Sequence, residues 1–307
     1  MLPFSVTVLG CGSALPTLRH NGSAQMVNIH DKLFLVDCAE AVQVALRRER
    51  VHLQRLSHIF ITHLHGDHCF GLPGLVSTLG LLGRTAPLHL YGPPDIEPVF
   101  RPLLSYFCPH LGFPLCFHSI CEGGLVYNDR TVEVHAVPLQ HRVPCFGFLF
   151  REKPSPPHIR PEAVERYAIP IPYMHLIKAG NDITLPDGRV IPNSELTRPA
   201  PPPRSFAYCS DTRFDPAIAP LVEGVDLLYH EATYAEADSG VCQQVFHSTA
   251  SQAARMACLC HARQLLIGHF STRYDDEQVL LDEARALFPN TLLAAEGLTI
   301  HIAPPCA

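Results

Sequence analysis

Apolar residues fall in short runs along most of this chain. Residues 5–9, 32–36, 58–61, 88–91, 131–137, 206–208, 225–229 and 264–267 have the length and the β-branched or aromatic content of strands. Longer stretches between them carry a helical period. Residues 39–50 place Val42 and Leu46 on one face and Arg47, Arg48 and Arg50 on another, as in an amphipathic surface helix. Residues 72–82, 248–260 and 276–287 read the same way. Strands alternating with helices over the whole length predict a layered α/β fold.

One segment breaks the rhythm. Residues 151–204 hold 12 of the 29 prolines, and 8 Lys or Arg against 6 Asp or Glu give the segment a net charge of +2 in a chain of net charge -6. Proline removes backbone donors, so this density predicts an irregular insert on a single domain spanning 1–307 rather than more core. The insert is either a plain surface loop or, given its charge, a site for nucleic acid away from the chemistry.

Composition narrows the class. With 307 residues, 47% apolar and 17% charged, the chain can bury a substantial core, which excludes disordered and fibrous classes. Its longest apolar stretch, around residues 71–83, is too short to span a bilayer. The first residues lack the basic and apolar regions of a secretory signal, which predicts a cytoplasmic protein. Twelve scattered cysteines without a C-x-x-C pair predict reduced, mostly buried thiols. The acidic balance excludes a uniformly basic nucleic-acid binder but leaves room for a local basic patch.

Nineteen histidines against no tryptophan is the unusual count. The sharpest cluster is Thr62-His63-Leu64-His65-Gly66-Asp67-His68, directly after a strand. Three imidazoles and a carboxylate in six residues is a metal-ligand density that a core does not tolerate unpaired. Gly66 is expected to turn the chain sharply, so that His63 and His65 face one ion while Asp67 and His68 face another. Further ligands should also follow strands, because strand ends in layered α/β folds meet at one edge. His141, Asp211 and His269 do so, and the carboxylate of Asp211 is able to bridge two cations. The remaining twelve histidines, His20 and His58 among them, lack such company and read as structural or surface residues.

With these residues in place the sequence resembles the metallo-β-lactamase superfamily and, within it, the short form of ribonuclease Z. The resemblance runs from Val8 to about Ile302. It is carried by Asp37-Cys38-Ala39-Glu40 with Gln43, by Gly71-Leu72-Pro73-Gly74-Leu75, and by His141-Arg142-Val143-Pro144 followed by Phe146-Gly147-Phe148. His230-Glu231-Ala232-Thr233, His247-Ser248-Thr249 and His269-Phe270-Ser271-Thr272-Arg273-Tyr274 complete it. Ala39 and Ala41 stand where that family commonly has glycines, and the insert lacks the Gly-Pro-rich tip usual in the family's arm.

The resemblance implies a four-layer αβ/βα sandwich with a projecting arm at 151–204, two zinc ions per chain and a homodimer. It implies that His63, His65 and His141 bind one zinc and Asp67, His68 and His269 the second, with Asp211 bridging and Asp67 also serving as base. The implied reaction is removal of the 3′ trailer from precursor transfer RNA, leaving a 3′ hydroxyl on the transfer RNA and a 5′ phosphate on the trailer. Two such cations activate a water and neutralise charge on the phosphoryl group. His247 is the candidate general acid for the leaving oxygen, with Glu231 holding its other ring nitrogen. Asp37, Glu40 and His230 are candidates for orienting metal-facing histidines through their free N–H groups. His230 with Glu231 also reads as a buried polar pair that ties a strand end. Arg273 is a candidate phosphate clamp. A competing enzyme reading is a dizinc phosphodiesterase or thioester hydrolase of small substrates, and a third is a silent RNA-binding subunit.

Overall fold

The strands form where β-branched and aromatic residues recur, and in this computed structural model, which describes residues 2–15 and 17–304, they make two seven-stranded sheets. The first half of the chain gives β1 (Phe4–Gly10), β2 (Ala24–Ile29), β3 (Lys32–Val36), β4 (Leu56–Phe60), β5 (Leu88–Gly92) and β6 (Leu115–Ser119). Next come β7 (Gly124–Asn128), β8 (Val132–Pro138) and β9 (Phe146–Glu152), then four two-residue strands, β10 (His158–Ile159), β11 (Ile183–Thr184), β12 (Val190–Ile191) and β13 (Thr197–Arg198). The chain ends with β14 (Ser205–Cys209), β15 (Leu227–Glu231), β16 (Gln264–Gly268), β17 (Thr291–Leu293) and β18 (Thr299–His301). One sheet has the order β18-β1-β2-β3-β4-β5-β6 and the other β17-β16-β15-β14-β9-β8-β7. β3 to β6 run parallel, as do β14 to β17.

The inner faces of the two sheets share one apolar core. Phe34 meets Phe150 at 5.6 Å between ring centroids and Phe60 meets Phe148 at 5.1 Å. Each buried phenylalanine stabilises this layer by roughly 1.5–3 kcal/mol. The helices Val42–Arg48, Leu72–Leu81 and Ile96–Phe107 cover the other face of the first sheet through Leu46, Leu75, Leu79 and Phe100, while Ala250–Leu259 and Gln278–Leu287 pack on the second. The result is the αβ/βα sandwich. Among the described residues no helix is long and apolar enough to cross a membrane, and the eleven described cysteines are free thiols.

Local differences from the sequence reading have physical causes. The helix expected over 39–50 begins only at Val42, because Asp37 and Ala41 adopt left-handed backbone (φ 57° and 59°) in the turn before it. The helix Ile96–Phe107 forms despite Pro102 in its interior, since its apolar face, Ile96, Phe100 and Leu104, is fully buried.

Contacts divide the chain into two compact units, the sandwich and Glu152–Pro203. The second unit is not the irregular insert that its prolines predict. It has β10 paired with β13, β11 paired with β12, and the short helices Pro161–Arg166, Met174–Lys178 and Asn193–Leu196. Ala163, Ile169, Ile177, Ile183, Leu185, Ile191 and Leu196 form a small core of its own. Pro161 occupies a first helical position, whose N–H would have no partner within the helix. There the prolines begin elements instead of preventing them.

Candidate metal centre

Seven side chains converge at the C-terminal ends of strands. His63 follows β4, His141 follows β8, Asp211 follows β14 and His269 follows β16. Extended backbone at His65 carries the chain from β4 into the helix Gly66–Cys69, so His63 and His65 project from extended chain and Asp67 and His68 from a helical turn. Gly66 therefore acts by close approach rather than by a special backbone angle: a Cβ there would meet the Phe70 ring at 2.5 Å.

The side chains sort into two sets. In one, His63 Nε2 lies 2.9 Å from His65 Nδ1, which lies 3.3 Å from His141 Nε2. In the other, His68 Nε2 lies 3.3 Å from His269 Nε2 and 3.5 Å from Asp67 Oδ2. Asp211 stands between them. Its Oδ2 is 3.6 Å from His63 and 3.9 Å from His141, while its Oδ1 is 3.3 Å from His68 and 3.1 Å from His269. One carboxylate thus offers an oxygen to each set, and the donors, imidazole nitrogen and carboxylate oxygen, suit zinc.

The outward-facing nitrogens are anchored. His68 Nδ1 donates to Asp37 Oδ2 at 2.8 Å, and His63 Nδ1 donates to Thr62 Oγ1 at 3.0 Å, which in turn donates to Asp37 Oδ1 at 2.9 Å. His269 Nδ1 donates to Thr233 Oγ1 at 2.9 Å, which donates to Glu231 Oε2 at 2.5 Å. His141 Nδ1 donates to the Phe246 carbonyl at 3.2 Å. Asp37 and Glu231 are fully buried; Asp37 steadies His68 directly and His63 through Thr62, while Glu231 steadies His269 through Thr233. Such anchoring fixes ring orientation and tautomer.

Charge follows from this packing. Burial, reinforced by neighbouring imidazoles, holds His63 well below its ordinary value, and burial also lowers His65 and His141, so all three favour the neutral form that binds metal. His68 is the exception: burial works downward, yet Asp211 and Asp37 lift it well above. Burial raises the Asp67 carboxyl, but hydrogen bonding to His269 and the nearby His68 leave it well below the usual range. Asp67 Oδ2 also accepts the Ala14 N–H at 2.7 Å.

His247 faces both sets. Its Nδ1 donates to Glu231 Oε1 at 2.9 Å, leaving Nε2 for the cleft. Burial lowers its proton affinity, but the Glu231 carboxylate outweighs this and raises it to about 9. A cavity of about 190 Å³ joins His247 to His65, Asp67, His141, Arg142, Asp211 and His269. It shares Ser13, Ala14, His65 and Asp67 with a larger cleft of about 690 Å³ that extends to Glu40 and Phe70.

Three expected residues lie elsewhere. Glu40 is exposed in the wall of the larger cleft and bonds no metal-facing histidine, because the turn at Asp37 sends the chain outward. His230 neighbours Glu231 on β15, and alternation along a strand puts it on the opposite face. It is fully buried there, and its Nδ1 bonds the Glu231 carbonyl at 2.7 Å. Arg273 is half exposed, pairs with Asp238 at 2.8 Å and lies 5.5 Å over the Tyr234 ring, so its guanidinium is already engaged. The sequence reading included Thr62 and Thr233 in its motifs without giving either a role, and it missed the Ala14 amide. For both threonines, a hydroxyl able to accept and donate at once was the available signal.

Comparison with known proteins finds relatives over nearly the whole chain. A family model described as anti-Pycsar protein Apyc1 matches residues 4–102. The chain is 52% identical to ribonuclease Z of Bacteroides fragilis over 98% of this chain and 100% of that protein. It is also 52% identical to ribonuclease Z of Bacteroides thetaiotaomicron, over 98% and 96%. Among solved structures it is similar to human tRNase Z, short form, with a TM-score of 0.72 and 27% identity over 97% of this chain and 99% of that one.

Proposed function

The chain belongs to the ribonuclease Z family and is a transfer-RNA 3′-processing endoribonuclease, and we propose on that premise that it works with two zinc ions, freeing the trailer with a 5′ phosphate and leaving the transfer RNA with a 3′ hydroxyl. The observation that carries the zinc reading is Asp211, whose two oxygens each face a separate set of imidazoles. His63, His65 and His141 would hold one ion and Asp67, His68 and His269 the other. When bound, the pair supplies Lewis acidity toward the scissile phosphate and its attacking water.

The chain's own groups do the rest. Asp67, as base, accepts a hydrogen of the attacking water. Its low proton affinity makes it an orienting acceptor that passes the water's proton on to solvent in the cleft, and the Ala14 amide keeps its Oδ2 in position. As the water oxygen joins phosphorus, the bond to the 3′ oxygen breaks with its electron pair on that oxygen. His247 Nε2 delivers the proton it needs, and Glu231 keeps that imidazole charged and pointed at the cleft.

Free thiols throughout the described residues support a reducing, cytoplasmic setting. We further propose a homodimer, and a transfer-RNA contact made through Lys and Arg side chains of the unit 152–203, which folds around a small core of its own; the net charge of +2 counted over 151–204 comes from Arg151 and Arg204, which belong to the sandwich. The deciding experiment offers zinc-loaded protein a trailer-bearing precursor transfer RNA and a small phosphodiester side by side. Specific cleavage at the trailer junction is expected. Turnover of the small phosphodiester alone would overturn the reading.

A further inference from the structure

Beside the larger cleft, whose lining includes both Ala14 and His20, three side chains with different donor atoms meet. Cys11 Sγ lies 3.4 Å from His20 Nδ1 and 3.7 Å from Glu296 Oε1, and His20 Nδ1 lies 3.0 Å from Glu296 Oε2. Bonds of about 2.3 Å to sulfur and about 2.0–2.2 Å to nitrogen or oxygen, set at tetrahedral angles, put ligand atoms about 3.3–3.6 Å apart. The observed separations, 3.0 to 3.7 Å with Glu296 turning one oxygen to the sulfur and the other to the imidazole, bracket that range.

The surroundings hold these donors as a ligand set is held. His20 Nε2 faces Glu277 Oε1 at 3.2 Å, the carboxylate–histidine arrangement that steers an imidazole toward a cation on its other nitrogen. Glu277 is in turn fixed by Arg19 at 3.1 Å. The Asn21 amide donates to Glu296 Oε1 at 2.9 Å. Cys11 is completely buried, out of reach of ordinary thiol chemistry.

We propose that Cys11, His20 and Glu296 form a further cation site, separate from the Asp211 centre, for zinc or another borderline divalent cation of tetrahedral preference, with solvent as the fourth ligand. Binding exchanges two protons for one dication. The thiol gives up one, and the imidazolium, which its bond to Glu296 keeps protonated, gives up the other, so the net charge of the cluster does not change. The site ties the two ends of the segment 11–20 to Glu296, just after β17. That segment carries the Ala14 amide that donates to Asp67, so the cation braces one wall of the cleft that Ala14, His20 and Asp67 line together.

Cobalt separates this site from the Asp211 centre, which has no thiolate among its ligands. Fully cobalt-loaded protein should show a thiolate-to-cobalt charge-transfer band in the near ultraviolet. Cys11→Ser should abolish that band and lower zinc content by one equivalent per chain while retaining the metal at Asp211. Cys145→Ser, which alters the thiol beside His63, should keep the band. The wild-type spectrum decides without any variant, should Cys11→Ser fold poorly. A cobalt-saturated wild type with no thiolate band, or a band that survives Cys11→Ser, overturns the proposal and leaves the cluster a hydrogen-bonded ion network.

Discussion

His247 and Glu231 show how one contact sets a residue's use. An imidazole in this cleft would lose its proton to burial, and the carboxylate 2.9 Å away reverses the sign. His247→Ala should therefore keep the metal and the RNA affinity while turnover falls by about 10²–10⁴-fold, the usual contribution of a general acid. Single-turnover rates at saturating precursor RNA, read with elemental analysis, check this. An unchanged rate removes His247 from the reaction, and lost metal makes it a ligand. Thr233 is a subtler case, since its hydroxyl links the Glu231 carboxylate to His269 and also lies 3.5 Å from His247 Nδ1. Thr233→Val leaves the His269 Nδ1–H without its acceptor and should weaken metal retention about 10–100-fold, measured by competition with a chelator. The convergence of the candidate ligands was legible because imidazoles and carboxylates at this density have few other uses. The threonines were not, because a hydroxyl becomes a relay only through what it happens to touch.

At the scale of elements, parallel strands deliver the chemistry. β3, β4, β14, β15 and β16 end at one edge, and Asp37, His63, Asp211, Glu231 and His269 stand at or just beyond those ends. That rule brought the candidate ligands to one edge from sequence alone. Strand alternation then separated Glu231 from His230, which adjacency in a motif had joined. The first sheet holds a histidine ladder with no part in the site: His58 on β4 stacks on His89 of β5 at 4.9 Å, and His89 Nδ1 lies 3.0 Å from His118 Nε2 on β6. Burial, with His89 and His118 adding to it, lowers His58 to about 4. Below about pH 6.5 the unfolded chain binds a proton there that the folded chain refuses until about pH 4. Stability is thus full above pH 6.5 and falls through that window by about 3 kcal/mol. Melting temperatures between pH 7 and 4 should show this loss, and His58→Phe should reduce it. An equally acid-sensitive variant would assign the loss to other groups.

For the whole molecule, the unit 152–203 is separable because of where it is inserted. β9 and β14 are antiparallel neighbours up to the pair Arg151 and Ser205, so a short turn can close them directly. The replaced segment must run over about 154–202, since Ile177 and Leu196 belong to that unit's own core and a shorter cut would open it. With a Gly/Ser link there, KM for precursor transfer RNA should rise and lose salt dependence, as contacts of Lys and Arg with phosphate release counterions. Hydrolysis of a small phosphodiester should stay near the parent rate. Normal RNA processing would make the unit a passive insert, and loss of both activities would tie it to folding or assembly. The sequence by itself determined the α/β alternation, the donor types and the strand ends that carry them, because these depend on local period and on chemistry with few alternatives. It could not determine that prolines in 152–203 begin helices around a small core, that Arg273 is held by Asp238, or that Cys11 and His20 meet Glu296. Those outcomes depend on contacts between residues far apart in the chain, such as the 276 positions from His20 to Glu296, and only packing brings such residues within reach.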